Sequence, residues 1–318
     1  MESLPLIMSV ILKVSSLNKQ FKDVKAVDDL SFSVNQADVY GFLGQNGAGK
    51  STTIRMLLTL IEPSSGEIEM FGMNLRTHRK EILSQVGAII ERPDMYKYLS
   101  GFENLLLFAR MNEVDSSRKR LMDQLELVGL AERAHSKVKT YSQGMKQRLG
   151  IAVALVHNPQ LIILDEPTNG LDPQGIADMR NLILHLSRHL KKTVLVSSHL
   201  LSEIEQVATR MLILDHGKKI TEGNVKDLFD PSKTMVEVET TDLPFALQFI
   251  NSSKWASFLV NMDLGNLVFE MNKNDIAGLT HDLVHAGVGI LSLQPKNSLE
   301  NYFLHITAGK QYVGAFKN

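Results

Sequence analysis

Short apolar runs bounded by turn residues recur along this chain. "VILKVSSL" and "LSFSV" near its start have the β-branched and aromatic composition of strands. "VYGFL" (39–43), "VGAII" (86–90), "LIILD" (161–165) and "TVLVSS" (193–198) are near-continuous apolar runs of the kind that form buried parallel strands. "VYGFL" leads into a glycine-rich turn and then "KSTTIRMLLTLI", which has helical character. Helical stretches separate the runs, so the pattern predicts an α/β body. From about residue 92 the pattern changes: "SGFENLLLFARM" and "SSRKRLMDQLELVGL" read as amphipathic helices with no strand between them, a helical insertion spanning about 92–157. A turn-rich linker, "FDPSKT", follows at 229–234. Beyond it, "MVEVET", "SFLVNM", "NLVFEM" and "VGILSLQ" read as strands, with a helix carrying Ile276, Leu279 and Leu283 on one face and a last helix in "SLENYFLHI". The expected division is a body over 1–230 and a small α+β domain over 235–318, arranged βαββαβα.

Composition narrows the class. At 44% hydrophobic and 22% charged, the 318-residue chain is that of an ordinary globular protein. A net charge of −1 gives no overall field to attract nucleic acid. The absence of cysteine removes disulfides and thiolate metal sites, in keeping with a reducing compartment. The apolar N-terminus lacks a basic lead-in and is interrupted by Pro5, so no signal peptide is expected. No run approaches the ~18 apolar residues of a membrane span.

The candidate chemistry begins at "GQNGAGKST". Gly44, Gly49, Lys50 and Ser51 satisfy G-x-x-x-x-G-K-[ST], with Asn46, Gly47 and Thr52 in the same loop. Small residues there let backbone N–H groups converge on phosphate oxygens. Lys50 is placed to reach the β- and γ-phosphates, and the Ser51 hydroxyl to ligate Mg²⁺. The following helix turns its positive end toward the anion. "LIILDEPT" then puts Asp165 and Glu166 at a strand's carboxyl end, the edge where open parallel sheets bind ligands. Asp165 suits Mg²⁺, and Glu166 suits an attacking water.

Three further stretches decide among phosphate-binding machines: "YSQGMKQRLGIAVAL" (141–155), "NGLDPQ" (169–174) and "SSHLLSEIE" (197–205). In this order and spacing, residues about 10–230 resemble the nucleotide-binding subunits of ABC transporters. A P-loop kinase would leave 141–155 and His199 unexplained. The resemblance implies a P-loop NTPase domain of ABC type, with ATP and Mg²⁺ as cofactors and dimerisation on ATP. It makes Ser142 and Gly144 the signature motif that closes on the opposite subunit's nucleotide. Asp172 matches the D-loop aspartate, which its Asp-Pro context also suits as a helix N-cap. His199 matches the histidine that contacts the γ-phosphate, and Phe21 the aromatic that stacks on adenine, where the family usually has Tyr.

Two departures narrow the branch. The signature reads Y-S-Q-G-M, and Glu91 stands where most relatives have a Mg²⁺-binding Gln. With the "SLENYF" terminus, these resemble the bacitracin and lantibiotic export or immunity ATPases. That branch implies a homodimer, or a heterodimer with a similar ATPase, peripheral on the cytoplasmic face of the membrane. Integral-membrane permease subunits would be its partners, docking near Met95, Tyr96, Tyr98 and Phe102, most of which are expected to pack inside the insertion. The competing assignment is a soluble ATPase of the same type acting on a ribosome or nucleic acid. Ribosomal members usually carry two cassettes in one chain and this chain has one; the long coiled coil of repair members is missing too. No nucleic-acid partner is therefore expected.

Overall fold

Alternation and continuity of apolar residues produce two different sheets in the first part of the chain. In β2 (Val24–Asn35), Leu30, Phe32 and Val34 face inward while their neighbours are partly exposed. It pairs antiparallel with β1 (Val10–Phe21), and β4 (Ser65–Met70) and β5 (Met73–Asn74) complete a four-stranded sheet in the order β2-β1-β4-β5. By contrast β3 (Val39–Leu43), β7 (Leu161–Asp165) and β8 (Thr193–Ser198) are buried at every residue. With β6 (Val86–Ile89), β9 (Arg210–Asp215) and β10 (Lys218–Asn224) they form a six-stranded sheet in the order β10-β9-β3-β8-β7-β6. The pairs among β9, β3, β8, β7 and β6 are parallel, and β10 closes one edge antiparallel.

This computed structural model describes residues 9–228, 234–263 and 265–297. Leu12, Leu30 and Phe32 of the antiparallel sheet share one core with Tyr40, Phe42, Ile163 and Leu195 of the parallel sheet and with Ile54 and Leu57 of α1 (Lys50–Leu57). The Phe32 and Phe42 rings meet edge to face at 5.0 Å. The short helix α2 (Arg79–Leu83) precedes β6. Between β6 and β7 lie α3 (Gly101–Met111), α4 (Arg118–Leu127) and α5 (Gln143–Ala154), with no strand among them. Ser100 and Glu103 close a reciprocal capping box at the start of α3, which fixes where the insertion's first helix begins. Helices α6 (Pro173–Arg188) and α7 (Leu201–Val207) follow β7 and β8. Among the described residues, no helix is long and apolar enough to cross a membrane.

The chain divides into two compact units after Asn224, where the last strand of the six-stranded sheet ends. The short helix α8 (Val225–Leu228) thus counts with the second unit, whereas the sequence reading ended the body at 230. The second unit runs β11 (Thr234–Thr240), α9 (Leu243–Asn251), β12 (Leu259–Asp263), β13 (Asn266–Met271), α10 (Ile276–His285) and β14 (Ile290–Asn297). Its antiparallel sheet has the order β12-β13-β11-β14, with one face packed on Ala246, Ile250, Leu279 and Leu283 of the two helices. β12 begins later than "SFLVNM" suggests, because Lys254–Phe258 forms a 3₁₀ turn. Trp255 anchors that turn: it is buried, and its Nε1–H donates to Asp282 Oδ2 at 3.0 Å. The expected helix in "SLENYFLHI" lies outside the described residues.

Candidate functional site

Strand register assembles the candidate site. Asp165 of β7 lies opposite Ser197 of β8, and Ser198 lies opposite Leu43 of β3. The residues that leave these three strands are therefore neighbours at one sheet edge, although 155 positions separate Gly44 from His199. The turn after β3 needs glycine for steric reasons. A Cβ on Gly44 would lie 2.6 Å from the Leu214 carbonyl oxygen. At Gly49, φ is +103° and a Cβ would meet the Ala26 carbonyl oxygen at 2.6 Å. Gly49 caps α1, and Thr53 returns a hydroxyl hydrogen bond to the Gly49 carbonyl at 2.9 Å.

Lys50 is buried, and its ammonium folds back across the loop. Nζ donates to the Gly44 carbonyl at 2.6 Å and the Gln45 carbonyl at 3.2 Å, and lies 3.1 Å from Glu166 Oε1. The Glu166 contact is an ion pair without hydrogen-bond alignment, so that oxygen keeps an unfilled acceptor. Glu166 Oε2 is 2.8 Å from His199 Nδ1, a bond that requires the proton on Nδ1. The backbone at Glu166 is left-handed, with φ +49°, a strain of about 1–3 kcal/mol for a side chain of this kind. That turn brings its carboxylate between Lys50 and His199 instead of continuing along the strand.

Asp165 is 1% exposed. Its Oδ1 accepts from Ser197 Oγ at 2.6 Å, and the same Oγ accepts from the Glu166 backbone N–H at 2.9 Å. Asp165 Oδ2 is buried with no hydrogen-bond partner. A buried, hard, anionic oxygen with a vacant coordination direction fits a divalent cation such as Mg²⁺. Ser51 and Thr52 are half-buried in the first turn of α1, and Asn46 and Gly47 are exposed at the loop tip.

The other residues singled out from sequence are held by contacts of their own. Ser142 caps α5, accepting from Met145 N–H at 3.2 Å, and Asp172 caps α6, accepting from Gly175 N–H at 2.9 Å. Gly144 and Leu171 are neighbours, since a Cβ on Gly144 would lie 3.9 Å from Leu171 Cδ2. Tyr141 anchors the same loop, with its phenol donating to the Arg133 carbonyl at 2.6 Å and burial pushing its pKa up. Phe21 is 46% exposed at the end of β1, with Lys19 Nζ 4.8 Å from its ring centroid. Glu91, also left-handed at φ +57°, pairs with Arg55 at 2.6 Å. Tyr96 and Tyr98 are exposed, whereas Met95 and Phe102 are partly buried.

Sequence reasoning overlooked two of these partners. Arg55 follows Ser51 by one helical turn on the same face of α1, a spacing that offered a signal. Ser197 is a hydroxyl inside an apolar strand, and only the pairing of β7 with β8 gives it a role.

A buried lysine on a glycine loop is linked through Glu166 to a histidine at the end of the neighbouring strand β8. The ABC transporter family model matches residues 27–169. The bacitracin transport ATP-binding protein BcrA of Bacillus licheniformis is 42% identical over 95% of this chain and 99% of its own length. The chain belongs to the ABC transporter ATP-binding family. A lantibiotic transport ATP-binding protein, SrtF of Streptococcus pyogenes, is 37% identical over 74% of this chain and 98% of its own length. Among solved structures, cbiO1 of Clostridium perfringens, described as part of an ABC transporter complex, superposes with a TM-score of 0.65. It is 27% identical over 69% of this chain and 90% of its own. As a member of this family the chain is an ATPase, converting ATP and water to ADP and phosphate.

Ser197→Ala tests the hydroxyl that links the two carboxylate-bearing positions. It leaves a buried Asp165 oxygen and the Glu166 N–H unpaired, and is expected to lower unfolding stability by about 1–3 kcal/mol. Chemical denaturation of the purified chain measures this.

Proposed function

We propose that this ATPase subunit drives export through separate membrane permease subunits, by clamping two cassettes together around ATP. The observation that carries the reading is the unbroken contact path from Lys50 through the Glu166 carboxylate to His199, beside an Asp165 oxygen with nothing bonded to it.

Before nucleotide arrives, Lys50 neutralises Glu166. A triphosphate carries more charge than one carboxylate, so its β- and γ-oxygens draw the ammonium away. Glu166 then has an oxygen free to accept a proton from the attacking water. His199, held through Nδ1, reaches toward the γ-phosphate with Nε2 and donates to it when that nitrogen is also protonated. Ser51 and Asp165 would hold Mg²⁺, which supplies neutralisation of the charge that develops on the phosphate oxygens. Backbone N–H groups from Asn46 to Thr52 cradle the phosphates, and the open ring of Phe21 offers a stacking face to adenine. Ser142 and Gly144, at the start of α5, present that helix's N-terminus to the nucleotide of the opposite subunit. Asp172 lies beside that junction through Leu171. Glu91 pairs with Arg55 through Oε1 and offers its other carboxylate oxygen toward the Mg²⁺ site.

The partner cassette is a second copy of this chain or a similar ATPase, and the pair works at the cytoplasmic face of a membrane. The relatives' bacitracin and lantibiotic transport support a peptide antibiotic or drug as the exported class. A ribosome or nucleic-acid partner is the alternative, and the charge of −1 gives it no support.

Glu166→Gln should bind ATP, lose turnover by at least about 100-fold, and accumulate as a dimer with Mg²⁺ and ATP, because an amide cannot take the water's proton. Size-exclusion chromatography with light scattering reads the dimer; a monomeric variant, or one with normal turnover, contradicts the mechanism. The export assignment is tested by tagging the chain in its own cell and purifying it in mild detergent. Polytopic membrane proteins are expected in stoichiometric amount, whereas ribosomal subunits or nucleic acid in their place would establish the alternative.

A further inference from the structure

Glu203 has no place in the mechanism above, yet it joins the two loops that carry the catalytic pair. It lies in the first turn of α7, four residues after His199. Its Oε2 accepts from Ser198 Oγ at 2.7 Å and from Thr168 Oγ1 at 2.7 Å. Ser198 Oγ in turn accepts from the Leu200 N–H at 3.0 Å. His199 is therefore bracketed: the Ser198 side chain before it donates to the carboxylate, and the Leu200 amide after it donates to that same hydroxyl. Thr168 is two residues beyond Glu166, with the stiff Pro167 between them. A closed circuit results, running from Glu166 to His199 at 2.8 Å, through Ser198 to Glu203, through Thr168, and back along the chain to Glu166.

The bond directions explain the residue type. Two hydroxyls spend their protons on the same oxygen, which calls for a group that accepts and does not donate. An ionised carboxylate is such a group, and 2.7 Å is a length typical of charge-assisted O–H···O⁻ bonds. Thr168, Ser198 and Glu203 also line a small cavity with Arg180 and the apolar Ile183 and Val196, a mostly apolar setting that strengthens such bonds.

We infer that Glu203 is a positioning residue: by holding Ser198 and Thr168 together, it fixes the distance between Glu166 and His199 without touching nucleotide. This rests on the proposed roles of Glu166 and His199. The plainer reading is that an acidic residue in the first turn merely complements the α7 dipole. The two differ in what glutamine does. Its amide oxygen can still accept both hydroxyls, while its lack of charge removes the dipole interaction.

The test compares ATPase kinetics of the full chain and its variants. Glu203→Ala is expected to lower kcat about 10- to 100-fold, the scale on which small misplacements of catalytic groups act, with KM for ATP within about twofold. Glu203→Gln should bring kcat back to within about threefold of wild type. The Thr168→Val/Ser198→Ala pair should match Glu203→Ala, and adding Glu203→Ala to that pair should cost no more, since one clamp is broken once. A Glu203→Ala protein with wild-type kcat, losses that multiply, or a Glu203→Gln as impaired as the alanine variant would each overturn the clamp. Should Glu203→Ala fail to fold, the Thr168→Val/Ser198→Ala pair carries the test, and a wild-type kcat there overturns it. Glu166→Gln is assayed alongside. Normal turnover in that variant overturns both the catalytic reading and the clamp; loss of turnover beside an unimpaired Glu203→Ala removes the clamp alone.

Discussion

One carboxylate shared between a lysine ammonium and a histidine ring holds this site together. Glu166 lies 3.1 Å from a buried ammonium on one side and 2.8 Å from an imidazole on the other. Burying Lys50 without that carboxylate and the two loop carbonyls would leave an uncompensated charge, a loss of several kcal/mol. The arrangement is available only because β3, β7 and β8 are parallel and end in the same row. A register slip of one residue in any of them would turn its side chains to the opposite face and break the path. The buried strands and the packing of Phe32 on Phe42 thus serve the site by fixing that row.

The same site is left incomplete in ways a purely stabilising design would avoid. Asp165 Oδ2 and Glu166 Oε1 are buried with unused acceptor capacity, and Glu166 holds a left-handed backbone. Unmet polar groups and strain are costs the rest of the fold must offset. A ligand that supplies cations or hydrogen bonds at those atoms would satisfy both oxygens. Those unmet groups are what the proposed binding of nucleotide and Mg²⁺ would use, in a chain that belongs to a family of ATPases.

Much of this was legible in the residues. Apolar runs identified the parallel strands, and the phosphate loop and the Asp165–Glu166 pair stand out by type and spacing. The βαββαβ order of the second unit also follows from its alternation, as far as residue 297. What was not legible depends on contacts distant in sequence. Residues 257 and 258 read as the start of a strand, whereas they end the 3₁₀ turn that Trp255 anchors on Asp282. Glu91 reads as a candidate Mg²⁺ ligand, but its pairing with Arg55 is visible only in the structure. Ser197 and Glu203 read as ordinary polar residues because their partners come from other strands and loops.

The exchange of Lys50 from carboxylate to phosphate is the central claim, and a crystal structure of the full chain with Mg²⁺ and a non-hydrolysable ATP analogue tests it most directly. The account predicts Lys50 Nζ on the β- and γ-phosphate oxygens, free of the Gly44 carbonyl and of Glu166, with the cation on Asp165 and the Glu166–His199 contact kept. A nucleotide bound elsewhere, or one bound in the loop while Lys50 keeps its contacts to Gly44 and Glu166, would contradict it.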